Sequence, residues 1–219
     1  MGLRLTMSDN VAFRNWVIAF AATLVAVAVC IAYVDRPVAK FFDLHLRHTI
    51  AWAWLDRALD PLNIVVLMAL LFLFGCGAWI ISGRSLRAWT QTPLLCSWAA
   101  MWSIAAEIIF KRIFGRGWPD PTYVQNRLYG FHLLHGGPHW QSFPSGTAMA
   151  SAAIASVLWI TAPRWRAIGV LATALSCVAV VIANFHWVGD VVAGAFLGAS
   201  IGWMTVRLAS PAPPRTPPS

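Results

Sequence analysis

The chain has 219 residues, of which 59% are apolar and only 11% charged, against about 25% charged in an ordinary soluble domain. Six long apolar stretches in so short a chain leave too little polar surface to face water, which excludes a soluble globular protein. The formal net charge is +8, but basic residues crowd the termini and two short loops, as membrane topology requires, so a nucleic-acid partner does not follow from it.

In chain order, residues 1–15 form an N-terminal segment bearing Arg4 and Arg14, expected in the cytoplasm. The first apolar segment runs from Trp16 to Val34. It is long enough to span and has no small-residue cleavage pattern before Asp35, so it reads as an uncleaved helix and not as a secretory leader. Residues 35–61 include FFDLHLRHTIAWAWLDRAL, whose partial helical amphipathicity predicts a helix lying along the interface. Five further apolar segments follow: Leu62 to Ser82, Pro93 to Phe110, Ser145 to Ala162, Ala167 to Phe185 and Val191 to Val206. Each approaches the roughly 20 residues that a bilayer core requires. The expected fold is all-α, a polytopic six-transmembrane-helix bundle, with residues 16–207 forming one membrane-embedded domain. Residues 208–219, ending in SPAPPRTPPS, read as a disordered proline-rich tail.

Sidedness follows from the loops SGRSLR and APRWRA. With both termini inside, the cytoplasmic side carries Arg4, Arg14, Arg84, Arg87, Arg164, Arg166, Arg207 and Arg215 against Asp9 alone. The long connection 111–143 and the turn NFHWVGD then share the outer side with residues 35–61. Cys30, Cys76, Cys96 and Cys177 all fall within apolar spans and form neither a disulfide framework nor a CxxC pattern.

Three polar signals converge at that outer face. His186 and Asp190 are four apart, one helical turn on a shared face. A carboxylate accepting from one imidazole nitrogen leaves the other free to attack; an interfacial histidine beside a helix-capping aspartate is the plainer reading. In FPSGT, Ser145 and Gly146 open a helix whose first-turn N–H groups and dipole favour an anion, although such a turn is also a common helix start. In KRIFGRGWP, Lys111, Arg112 and Arg116 are either snorkelling cations or a phosphate clamp, with Arg116, set between two glycines, the best candidate to enter a pocket.

KRIFGRGWP, FPSGT and HWVGD, in that order, resemble the signature of the type 2 phosphatidic acid phosphatases over about residues 60 to 206. The resemblance implies a helical bundle that hydrolyses a phosphomonoester or pyrophosphate, usually on a lipid, without metal or other cofactor. It implies phosphate binding by Lys111, Ser145 and Gly146, a phosphohistidine at His186, and Asp190 as the carboxylate that orients it. Three positions depart from the pattern. Trp118 stands in place of the first motif's arginine, with Arg116 two residues earlier as a substitute. Thr147 replaces the histidine that protonates the leaving group, and can only donate a hydrogen bond to phosphate. Ala179 and Val180 occupy the place of a Ser-Arg pair. Among His132, His135 and His139, His135 is favoured as the replacement acid because glycines follow it; a zinc site and plain loop histidines are the rivals.

The expected function is therefore a lipid phosphatase acting at the outer, periplasmic face of a bacterial-type inner membrane, its partners being a lipid phosphate or pyrophosphate and membrane lipids. The alternatives are a lipid phosphotransferase, or a catalytically silent relative that binds phospholipid headgroups or a partner protein.

Overall fold

The structure, a computed structural model, describes residues 7–47, 49, 61–83, 85–135 and 137–209. Most of the expected amphipathic segment beyond Arg47, the first residues of the N-terminal segment and the proline-rich tail from Ser210 lie outside the described residues.

The described residues form seven α-helices: α1 (Met7–Val29), α2 (Asp35–Leu46), α3 (Pro61–Ile81), α4 (Gln91–Phe114), α5 (Gly146–Thr161), α6 (Arg166–Ile182) and α7 (Val188–Ala209). Among the described residues there is no strand, only one isolated bridge between Arg116 and Phe131. Four helical stretches are long and apolar enough to cross a bilayer: Asn10–Leu46, Ala88–Phe114, Pro163–Ile182 and Val188–Ala209. Gly146–Thr161 is apolar but shorter, and α3, 21 residues long, is apolar over Leu67–Ile81. The all-α membrane architecture stands, with four candidate spans among the described residues. Large apolar side chains such as Phe13, Leu24, Phe74, Ile108 and Leu175 point outward, which is stable only against lipid.

The expected interfacial helix begins differently. A π-helical stretch, Cys30–Val34, carries α1 directly into α2 without a break. α2 then packs its Ala39 against Tyr123 and Trp187, and the Ala39 carbonyl accepts from Asn184 Nδ2 at 3.1 Å. This helix is a clamp on the loops that carry Tyr123, Asn184 and Trp187.

The shorter α5 is the central helix, flanked by α4, α6 and α7. Its Ala148, Met149, Ala153 and Val157 are wholly buried. α7 meets it through Gly194, Gly198 and Gly202, spaced four apart as the backbone of a close helix crossing requires. A Cβ at Gly198 would lie 2.0 Å from the Met149 carbonyl oxygen, so no larger residue fits without moving the helices apart. That close crossing brings the first turns of α5 and α7 together, and the Ser145 N–H donates to the Asp190 carbonyl at 3.1 Å.

Candidate active site

α4 ends at Gly115, whose left-handed φ of 53° stops the helix and returns its N–H to the Lys111 carbonyl. One face of α4 then runs Ala100, Ile104, Glu107, Lys111, and faces the mouth of α5. Between α4, α5 and α6 lies a cavity of about 490 Å³. One end holds Glu107, Lys111, Gly146, Thr147 and His186, and the other is lined by apolar groups including Ile104, Ile154, Leu158 and Ile168. Among the described residues lining it, the titratable ones are Glu107, Lys111 and His186. Four of the expected site residues (Lys111, Gly146, Thr147 and His186) are thus brought together.

His186 is only 6% exposed and sits in the turn before α7. Its Nδ1 lies 2.9 Å from the Ser142 carbonyl oxygen and 3.8 Å from Asp190 Oδ2. A carbonyl only accepts, so Nδ1 carries the proton and Nε2 keeps its lone pair. The Ser142 carbonyl is the acceptor at hydrogen-bond distance, and a second acceptor faces the same nitrogen from further off, the carboxylate of Asp190. Its Oδ2 accepts from Ser142 Oγ at 2.5 Å and from the Trp187 N–H at 3.2 Å. Trp118, standing where the resemblance expects an arginine, lays its ring 5.1 Å from the imidazole, with Lys111 Nζ 5.2 Å from the same ring.

Arg116 is placed otherwise than expected. It is 0% exposed and does not line the cavity. Its guanidinium binds Asp190 Oδ1, Asp35 Oδ2 at 2.6 Å and the Tyr129 hydroxyl at 3.0 Å. Asp35 Oδ1 in turn accepts from the Gly189 N–H at 2.9 Å. Burial alone would lower the Arg116 pKa, but Asp190 and then Asp35 outweigh it and hold the guanidinium above its ordinary value. A cation so committed has no fork left for a phosphate. Ser145 is corrected likewise: it too is 0% exposed, and its Oγ accepts from the Ala148 N–H at 3.4 Å as an N-cap. Among the described residues, the N–H groups of Gly146 and Thr147 find no acceptor within the protein and open onto the cavity.

His135 is exposed. Its ring packs beside Trp140, 5.7 Å between centroids, and near His132 at 6.2 Å, outside the residues that line the cavity. Among the described residues no His, Cys, Asp and Glu gather in a group able to hold a metal ion. Val180, in the arginine's expected place, is buried among Ala148 and Val191.

Two acidic residues escaped the sequence reading. Glu107 pairs with Lys111 at 2.5 Å, and a Cβ on Gly146 would lie 2.1 Å from its carboxylate. Its signal was available, since a charged side chain inside an apolar span marks a working site by default. Asp35 follows the first apolar segment, and nothing local in the sequence distinguishes it.

A helical bundle with apolar outward faces thus opens a helix N-terminus and an imidazole onto one cavity. Residues 91–213 match the model of the PAP2 superfamily, and the chain belongs to that superfamily. An undecaprenyl-diphosphatase from Sulfolobus acidocaldarius is 35% identical over 98 residues, covering 42% of this chain and 48% of that protein. The chain therefore matches about half the length of that curated relative. Two crystal structures share the fold. LpxE of Aquifex aeolicus has a TM-score of 0.54 at 21% identity, over 80% of this chain and 95% of that one. The first transmembrane PAP2 type phosphatidylglycerolphosphate phosphatase from Bacillus subtilis has a TM-score of 0.57 at 18% identity, over 89% and 95%.

Proposed function

We propose that this protein is a membrane lipid phosphatase that hydrolyses a phosphomonoester or pyrophosphate through a phosphohistidine at His186. The observation that carries the reading is the two-ended cavity. One end offers Lys111 and the free N–H groups of Gly146 and Thr147 to a phosphate, beside an imidazole held in its Nδ1–H form. The other end offers an apolar groove to a chain. His186 Nε2 attacks phosphorus, the bond to the lipid oxygen breaks, and water later cleaves the P–N bond to release phosphate. The undecaprenyl-diphosphatase matched over 98 residues supports a lipid pyrophosphate as one substrate.

The site faces the outer side of the membrane with both termini in the cytoplasm, on the strength of the arginines in the short loops. Purified protein offered a panel of phosphatidate-like lipids, phosphorylated lipid A and polyprenyl phosphates and pyrophosphates is expected to release phosphate from at least one of them. In intact cells, an impermeant thiol reagent is expected to label Gln125→Cys and spare Ser85→Cys. The reverse labelling pattern would move the site to the cytoplasm.

A silent, phosphate-binding relative is the second reading. Lys111 is the one cation among the described cavity-lining residues, and it already has a carboxylate partner. A panel without any phosphate release, combined with retained binding of phospholipid vesicles, would favour it.

A further inference from the structure

Breaking a phosphate ester of an alcohol leaves an alkoxide, which needs a proton as the bond breaks. The cavity holds few groups able to supply one. Thr147 has a hydroxyl, not an acid; His186 is the attacking group; Lys111 is the phosphate's counter-charge. Glu107 is what remains among the described residues that line the cavity.

Its position suits the task. On the α4 face, Lys111 lies one turn beyond Glu107 and Ile104 about one turn before it. Lys111 marks the phosphate end and Ile104 the start of the apolar groove. The oxygen that joins phosphate to lipid must pass between them, at the level of Glu107. The carboxylate already presses against Gly146, the first residue of α5, at the helix mouth where the phosphate is expected. The geometry points to Glu107 as the general acid that protonates the leaving oxygen, an inference that rests on the phosphatase reading above.

The carboxylate holds Lys111 at 2.5 Å. An arriving phosphate takes over Lys111 and the N–H groups of Gly146 and Thr147, and its negative charge then lies beside Glu107. Two like charges at that range are relieved by a shared proton, which the substrate's own acidic P–OH supplies. When His186 Nε2 bonds to phosphorus, the P–O bond to the lipid breaks and its electron pair takes the Glu107 proton, so the alcohol leaves neutral. In the second half, the Glu107 carboxylate accepts a proton from water as that water's oxygen bonds to phosphorus. The P–N electron pair returns to His186, and the departing phosphate takes the Glu107 proton as a second P–OH, which leaves Glu107 a carboxylate again. Ester and water become alcohol and phosphate, with every proton accounted for.

The test compares leaving groups. Purified full-length protein in detergent is assayed on an alkyl phosphate lipid, whose leaving group needs a proton, and on p-nitrophenyl phosphate, whose leaving group does not. Glu107→Gln is expected to lower kcat on the alkyl substrate by about 10²-fold or more, and to change kcat on p-nitrophenyl phosphate by less than about 5-fold. Adding Thr147→His to Glu107→Gln is expected to restore part of the alkyl rate, since it places a protonatable group on the opposite wall. If Glu107→Gln does not fold, Glu107→Asp is read by the same leaving-group ratio. Equal losses on both substrates, or no loss on the alkyl one, would overturn the acid role while leaving the phosphatase reading intact. A wild-type protein inert on both would overturn the phosphatase reading and the acid role with it.

Discussion

Two charged groups at the same end of the bundle are built in opposite ways. In one, Arg116 is sealed between Asp35, Asp190 and Tyr129. In the other, Lys111 holds Glu107 as its one ion-pair partner among the described residues, with side chains 15% and 22% exposed at a cavity wall. The first group has spent its hydrogen-bonding capacity inside the protein; only the guanidinium Nε is without a partner among the described residues. The second has capacity left over, as do the N–H groups of Gly146 and Thr147. A charge that is fully satisfied indoors holds architecture, because removing one partner strands another charge in a medium that cannot solvate it. A charge with valence to spare is available to a ligand. Proximity to the site therefore does not make Arg116 a phosphate ligand, although its residue type and its glycine neighbours suggest one.

That contrast predicts that the two groups separate in their effects, stability on one side and turnover on the other. The largest effect belongs to the cavity. His186→Ala is expected to abolish phosphate release on every substrate the wild type accepts, with the midpoint of thermal unfolding in detergent little changed. Activity that survives this substitution would remove the phosphohistidine mechanism. Next comes the sealed cluster. Arg116→Ala leaves Asp35 and Asp190 facing each other unpaired, and is expected to cost about 3–5 kcal/mol of stability, read as a lowered unfolding midpoint. Were Arg116→Ala instead to keep the wild-type midpoint and weaken only substrate binding, the division between the two groups would fail. The smallest effect tests the helix mouth. Thr147→Ala removes at most one hydrogen bond to phosphate and is expected to cost about 1 kcal/mol in kcat/KM, with no change in the unfolding midpoint. A loss as large as that of Glu107→Gln would shift the acid role toward the threonine's own surroundings.

The membrane character, the all-helical fold and the order of the three motifs were legible from sequence because each depends on local pattern. Apolar stretches fix the helices, Pro144 and Ser145 mark a helix start, and Gly115 marks a helix stop. Lys111, Gly146, Thr147 and His186 were found by residue type and order, and all four reach the cavity. The close crossing of α5 and α7 was written in Gly194, Gly198 and Gly202, a spacing that a search for small-residue stripes would have caught.

What sequence alone could not assign is which charge faces which neighbour. Asp35 meets Arg116 across 81 residues and Asp190 meets it across 74, and no spacing rule reaches that far. Helical periodicity tells which residues share a face, so Glu107 and Lys111 could be paired from their four-residue separation. It does not tell which helix that face will meet. Only the packing of α5 against α4 set Glu107 on Gly146, and only the docking of α2 and α7 onto the loop after α4 buried Arg116 among carboxylates. The sequence determined the helices and the order of the chemical groups, because those depend on neighbours within a turn. The tertiary structure decided which of those groups were used up in holding the protein together, because desolvation and pairing depend on what arrives from elsewhere in the chain.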